Sequence, residues 1–130
     1  MNCYLDIETT GLDPLQSKII TIQYMQLERN TAMPVGPLKI LKEWESDEKT
    51  ILKRFIEDYR PEDEWAFVPI GFNLQFEHGF FWQRCISNGL KPVDIFNGPT
   101  GFPVFLSSSI YWMVIILLCS SSRPVVSMSR

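Results

Sequence analysis

The sequence predicts one α/β domain with a mixed β-sheet, in which three antiparallel strands are followed by α/β crossovers. Strand-like patterns occupy most of the first 42 residues, and the short connections between them favour antiparallel neighbours. Two segments with helical periodicity then alternate with strand-like segments, which indicates crossovers that place helices on the faces of the sheet. The length of 130 residues suits a single domain.

The first three predicted strands cover residues 2–8, 18–28 and 38–42. Alternation in the first strand separates two faces: Cys3, Leu5 and Ile7 against Tyr4, Asp6 and Glu8. The second strand is rich in β-branched and aromatic residues. One face of this strand is expected to carry Ile20, Ile22 and Tyr24.

The first predicted helix follows the third strand. Ser46 is expected to cap its start and Pro61 to end it, since proline has no N–H for a helical hydrogen bond. Its apolar residues recur at helical spacing and form one stripe: Ile51, Leu52, Phe55, Ile56 and Tyr59. This helix is therefore predicted to cover one face of the sheet.

A second crossover completes the predicted order β-β-β-α-β-α-β. Residues 65–72 are apolar throughout and suit a buried strand. Residues 74–88 suit a helix, with Asn73 as its cap and Gly89 as its stop, and residues 93–96 suit a last short strand. The aromatic residues of this region are expected to pack in the core rather than to stack on bases: Phe72, Phe76, Phe80, Phe81 and Trp82.

The overall charge is −3, so the chain has no general basic field that could hold nucleic acid. Its three cysteines, Cys3, Cys85 and Cys119, match neither a zinc site nor a disulfide framework. We interpret them as reduced thiols of a cytoplasmic protein, two of them in the core.

The composition changes near residue 98. Residues 1–97 contain all 15 acids and 10 of the 12 basic residues, whereas residues 98–130 are rich in serine and contain no acid. The apolar run from Ile110 to Cys119 is shorter than the roughly 20 residues that a membrane span needs, so a membrane partner is not expected. It suits a buried strand, a short helix or a tail outside the native fold. We predict an incomplete domain at residues 1–97 and an atypical tail at 98–130.

Two acids two residues apart end the first strand. Asp6 and Glu8 share a face, and two such close like charges need solvent, a proton or a cation. Oxygen ligands of this kind suit Mg²⁺ or Mn²⁺. Solvated acids at an exposed strand end are the alternative reading of this spacing alone. Glu77, in the first turn of the second helix, is expected to point toward both acids if its strand pairs with the first.

The two motifs resemble those of a known family. "DIETTGL" at residues 6–12 and "GFNLQFEHGFF" at 71–81 are similar to motifs of the DEDD superfamily of 3′–5′ exonucleases, which have a ribonuclease H-like fold. The longer pattern looks most like archaeal members related to the exonuclease domain of family B DNA polymerases. The resemblance implies hydrolysis of phosphodiester bonds at single-stranded nucleic-acid 3′ ends, in repair or proofreading, with two bound Mg²⁺ or Mn²⁺ ions.

The resemblance also implies roles for individual residues. Asp6, Glu8 and Glu77 match the acids that hold the metal pair and act in catalysis, although most relatives have Asp at the last position. The positions that match contacts to the terminal nucleotide are Thr9, Thr10 and Leu12. Asn73 and Phe76 are expected to support the site.

The third motif of that family is missing. After Glu77 the only acid is Asp94, which suits a strand end better than a metal ligand, and His78 is an unconvincing general base. Loss of a water-orienting base costs about 10²–10⁴ in rate. We therefore expect a weak or inactive exonuclease. The alternative is a non-catalytic ribonuclease H-like module that binds nucleic acid or metal, with self-association through an incomplete sheet as a further expectation.

Overall fold

The computed structural model describes residues 2–60, 67–92, 95 and 104–105. Within these residues the chain forms five strands, two α-helices and one 3₁₀ turn at Glu43–Glu45. The strands are β1 (Asn2–Thr9), β2 (Ile19–Gln26), β3 (Lys39–Lys42), β4 (Val68–Gly71) and β5 (Val104–Phe105). The helices are α1 (Glu48–Tyr59) and α2 (Leu74–Ser87).

The strands form one mixed sheet in the order β3-β2-β1-β4-β5. The pairs β1–β2 and β2–β3 are antiparallel, whereas β4 runs parallel to β1 and β5 runs parallel to β4. The predicted mixed sheet of three antiparallel strands followed by crossovers is therefore confirmed. The parallel pairing of β4 with β1 follows from the intervening helix, because a parallel connection needs a crossover.

A bulge in β2 changes which of its residues reach the core. Glu8 lies opposite Thr21 and Thr9 lies opposite Ile19, so Ile20 is the extra residue. Ile19 is fully buried, whereas Ile20 is only partly buried. Ile19 rather than Ile20 therefore joins Ile22 and Tyr24 in the main core, and the predicted shared face is wrong at Ile20, since an extra residue reverses the alternation beyond it.

The main core lies between the sheet and the two helices. Phe55 of α1 stacks on Phe81 of α2 with ring centroids 4.5 Å apart, and it meets Tyr24 and Phe67 edge to face. This core takes one face of β1, namely Cys3, Leu5 and Ile7. A smaller cluster on the other face comprises Tyr4, Met25, Leu27 and Ile70. The predicted alternation of β1 is confirmed.

The start of α1 differs from the prediction by one residue. Asp47 is the N-cap, and its carboxylate accepts a hydrogen bond of 2.7 Å from the Thr50 N–H. Ser46 instead closes the 3₁₀ turn by donating its backbone N–H to the Glu43 carbonyl. The inserted turn, which the sequence pattern did not predict, uses Ser46 and leaves Asp47 to cap the helix.

The ends of α2 agree with the prediction. Asn73 occupies the N-cap position, although its side chain makes no capping hydrogen bond. The helix ends at Ser87, and Gly89 follows with φ +69°, a left-handed conformation that glycine adopts without strain.

Several predicted features lie outside the described residues. Among them are Pro61, Asp94, Cys119, most of the predicted strand 93–96 and nearly all of the tail. Ile95 is buried, and the tail residues Val104–Phe105 form β5, so the limit at residue 97 stays a prediction. In the described part of the chain, no helix combines the length and hydropathy of a membrane span.

Gly71 fixes the approach of β4 to β1, which gives a first prediction. A Cβ atom there would lie 2.9 Å from the Leu5 carbonyl oxygen and 2.9 Å from Leu74 Cδ2. We expect Gly71→Ala to lower the free energy of unfolding by about 2 kcal/mol, because the backbone must move to admit the methyl group. Urea unfolding followed by circular dichroism measures the change.

Gly79→Ala is the matched control, since a Cβ at that helical position would meet nothing within 4 Å. It should leave stability unchanged or raise it by up to about 1 kcal/mol. Equal effects of the two substitutions would contradict a packing role for Gly71.

Candidate active site

Asp6 and Glu77 form a carboxyl pair at the carboxyl end of β1. The parallel pairing of β1 with β4 places the end of β4 beside Leu5, and α2 begins three residues after Gly71. The first turn of α2 therefore lies next to Asp6. The side chains of Asp6 and Glu77 interact directly by hydrogen bonding and by charge. Glu77 therefore approaches Asp6, one of the two acids toward which it was expected to point.

Burial raises the pKa of both carboxyl groups. Only 4% of Glu77 is exposed, and burial, assisted by the charge of Asp6, raises its pKa from 4.5 to about 8. Burial also raises the pKa of Asp6, and the charge of Glu8 adds to this. The Ile7 N–H donates to Asp6 Oδ1 at 3.0 Å and the Tyr4 hydroxyl to Oδ2 at 3.4 Å, which opposes the increase. Without a cation, the pair is thus expected to hold a proton near neutral pH.

The pair fits a divalent cation. Glu77 Oε2 is buried and accepts no hydrogen bond from the described residues, an arrangement that is costly unless another group occupies the site. Carboxylate oxygens are the donors that Mg²⁺ and Mn²⁺ prefer. Asp6 and Glu77 could therefore hold such an ion, which would replace the shared proton.

Glu8 lies further from this pair than the sequence pattern suggested. It is the last residue before the register shift, and its side chain is exposed. Among the residues that the structure describes, no three His, Cys, Asp or Glu side chains are grouped closely enough to hold a metal ion. Glu8 thus acts on Asp6 through charge, and its role as a metal ligand stays a prediction.

The loop after β1 uses its threonines to fold on itself. The Thr9 hydroxyl donates to the Gly11 carbonyl at 2.6 Å, and Thr10 exchanges two hydrogen bonds of 3.0 Å with the Lys18 backbone. Leu12 is 86% exposed at the tip. The predicted contacts of Thr9, Thr10 and Leu12 with a nucleotide remain predictions, but Leu12 is accessible for such a contact.

The aromatic residues between positions 72 and 82 divide into buried and exposed ones, and the predicted core packing of Phe72 and Trp82 is wrong. Phe80 and Phe81 are buried as expected, whereas Phe72 is 63% and Trp82 42% exposed. Phe72 lies between Gly71 and the N-cap of α2, outside the helical stripe, and this position is the signal that could have marked it as exposed. It places an accessible aromatic ring just beyond the end of β4, at the same edge of the sheet as the carboxyl end of β1.

The remaining candidates lie on α2. His78 is partly buried, with its ring centroid 5.9 Å from that of Trp82. Phe76 is partly buried, and its ring lies 4.8 Å from that of Phe80, so it supports the packing of the helix that carries Glu77.

A mixed sheet of this order, with a carboxyl pair at the end of its central strand, defines a protein with a ribonuclease H-like fold. A sequence model described as RNase H superfamily matches residues 3–96, and the chain belongs to that family. No curated protein matches the sequence.

The solved structures similar to this chain include exonuclease I. The complex of E. coli exonuclease I with a dT13 oligonucleotide has a TM-score of 0.60 at 12% identity and covers 96% of this chain. The complex with a 5cy-dA13 oligonucleotide has a TM-score of 0.60 at 11% identity and covers 95%. An exonuclease I complex with the inhibitor BCBP has a TM-score of 0.59 at 11% identity and covers 96%. The chain spans about a third of their length, 30%, 30% and 31% respectively.

Proposed function

We propose that this chain carries the metal-binding part of a 3′–5′ exonuclease site that acts on single-stranded nucleic-acid ends. The observation that carries the proposal is the contact of Asp6 with Glu77, whose Oε2 is buried without a hydrogen-bond donor among the described residues. The two sequence motifs and the ribonuclease H-like fold support it. Kinship with archaeal exonucleases related to family B DNA polymerases, in repair or proofreading, is a narrower part of the proposal and rests on the motifs alone.

The proposed mechanism uses the carboxyl pair as a cation site. Two divalent cations, when bound, supply Lewis-acid activation of the attacking water and charge stabilisation at the leaving 3′ oxygen. Asp6 and Glu77 would hold them, with Glu8 as a further ligand. The Ile7 N–H and the Tyr4 hydroxyl keep Asp6 oriented for this role.

Substrate binding is proposed to be local because the chain has no net positive charge to attract a phosphate backbone. Leu12 and Phe72, both exposed, offer apolar surface to unstacked bases. Thr9 and Thr10 would position the terminal nucleotide through the loop that they shape. The oligonucleotide complexes of E. coli exonuclease I support single-stranded nucleic acid as the ligand class.

The rate is expected to be low. Glu77 is followed in the sequence by one acid, Asp94, whereas the family motif would supply a fourth carboxylate and a water-orienting residue. The second candidate is a module that binds nucleic acid or metal without cutting. The lack of a matching fourth carboxylate and water-orienting residue favours this candidate. Self-association through a sheet edge, a further expectation, is opposed at β3 by Lys39 and Lys42, since edge lysines discourage strand pairing.

The second prediction concerns cleavage. With the chain in excess over 5′-labelled single-stranded DNA or RNA, we expect slow shortening from the 3′ end in Mn²⁺ and none in EDTA. Asp6→Ala should reduce the rate by at least about a hundredfold, because it removes a cation ligand. Gel electrophoresis of the products measures the rate, and calorimetry measures Mn²⁺ binding by the same variants.

Glu57→Gln is the control, because Glu57 is an exposed acid on α1 that contacts neither Asp6 nor Glu77. It should cleave and bind as the unmodified chain does. Mn²⁺-dependent binding of the oligonucleotide without cleavage would favour the binding module. If the chain neither cleaves nor binds the oligonucleotide, the proposed site is rejected.

A further inference from the structure

A buried ion pair connects the two helices. The Glu48 carboxylate, at the first residue of α1, accepts hydrogen bonds from Arg84 Nη2 at 2.7 Å and Nε at 3.0 Å. It also accepts from Asn88 Nδ2 at 2.7 Å and from the Ile19 N–H at 2.6 Å. The side chains of Glu48 and Arg84 are only 7% and 16% exposed. Such a fully hydrogen-bonded buried pair holds its partners in one geometry.

Arg84 extends this connection to the loop after β1. Its Nη1 donates to the Pro14 carbonyl at 3.3 Å, in the middle of the segment between Thr10 and Lys18. The two ends of that segment are joined by the paired hydrogen bonds of Thr10 and Lys18. Leu12 and Leu15, both largely exposed, flank the residue that Arg84 holds. Arg84 therefore holds the backbone of the part of the loop that carries the exposed leucines.

The same helix carries Glu77. Arg84 lies seven positions after Glu77, which places the two on the same face of α2 within about 20° and roughly 10 Å apart along its axis. Glu77 contacts Asp6, and Arg84 contacts the loop that follows Asp6 in the chain. One rigid helix thus sets the position of the loop relative to the carboxyl pair.

We propose that Arg84 is a positioning residue, which holds the Thr10–Lys18 loop beside the carboxyl pair and thereby sets the affinity for single-stranded nucleic acid. This inference rests on the proposed function for its ligand. The fork of the guanidinium is essential to it, because one side chain must reach both the Glu48 carboxylate and the Pro14 carbonyl. A lysine has a single ammonium group and cannot make both contacts in this geometry.

The test uses Arg84→Lys in the full chain, with Arg54→Lys on the exposed side of α1 as the matched control. Hydrogen exchange reports the loop through the backbone N–H groups of Gln16 and Ser17, which bond to the Asp13 carbonyl. Exchange of the Phe55 backbone N–H, in the middle of α1, reports the stability of the whole fold. Fluorescence anisotropy of a 5′-fluorescein thymidine 13-mer in Ca²⁺ measures affinity.

In Arg84→Lys we expect the loop N–H groups to exchange about tenfold faster relative to Phe55, and the oligonucleotide to bind about fivefold more weakly, because a hydrogen bond is lost. Arg54→Lys should change neither. Unchanged loop exchange, or faster exchange with unchanged affinity, would overturn the inference. If the unmodified chain binds no oligonucleotide, the proposed function fails, while loop exchange still decides whether Arg84 holds the loop. Should Arg84→Lys not fold, the double variant Glu48→Gln/Arg84→Gln, which leaves no unpaired buried charge, provides the same comparison.

Discussion

Raising the pH from about 6 to about 9 should destabilise the protein when no divalent cation is present. Burial raises the pKa of Glu77 from 4.5 to about 8 in the folded state, so the folded protein binds a proton that the unfolded chain has released. The contribution is fully present only below the unfolded pKa of 4.5, and stability falls as the pH rises from there through about 8. Between pH 6 and 9 the loss is on the order of 3 kcal/mol, out of about 5 kcal/mol in total.

Urea unfolding in EDTA at a series of pH values measures this dependence. Glu77→Gln should remove most of it, because glutamine carries no charge at any of these pH values. Saturating Mn²⁺ should also flatten the curve, by replacing the proton at the Asp6–Glu77 pair. Glu57→Gln, on the exposed side of α1, should retain the dependence of the unmodified chain. A flat curve for the unmodified chain in EDTA would contradict the burial of a protonated Glu77.

Removing the Glu48 carboxylate should be among the most destabilising single substitutions in the described part of the chain. In Glu48→Ala, Arg84 keeps its charge in a buried position, and the Ile19 N–H loses its acceptor. Breaking one side of a buried pair in this way costs about 3–5 kcal/mol. The free energy of unfolding in urea at neutral pH measures the loss.

Glu43→Ala provides the comparison, because Glu43 forms an ion pair of 2.6 Å with Lys18 at the surface. Exposed pairs contribute at most about 1 kcal/mol, since water already solvates both charges. Losses of equal size in the two variants would mean that the Glu48 pair contributes no more than a surface contact.

Much of the fold could be predicted from local sequence patterns. The period-two alternation of β1 identified which of its residues enter the main core, and the pattern of α1 identified Ile51, Leu52 and Phe55 as buried. The positions of Asp6 and Glu77 could also be predicted. Asp6 lies near the end of a strand, Glu77 lies in the first turn of the crossover helix, and handedness brings that turn to the neighbouring strand.

Other features depended on contacts between distant segments. The bulge that moves Ile20 out of the core arises where β1 and β2 meet, and no pattern in either strand marks it. The exposure of Glu8 depends on which distant segments reach the end of β1, and nothing in the alternation of that strand indicates it. Asp47 rather than Ser46 caps α1 because Ser46 closes the 3₁₀ turn that precedes the helix. The local sequence pattern does not distinguish such a turn from the start of the helix itself.

The sequence by itself determined the order of the elements, the mixed sheet and the acids that end β1 and begin α2, because alternation, helical spacing and capping act between neighbours in the chain. Only the tertiary structure decided that Glu48 pairs with Arg84 and that Arg84 reaches Pro14. These contacts join residues 36 and 70 positions apart. A charged residue at a helix start has the same local pattern whether water or a buried guanidinium faces it, and only packing distinguishes the two.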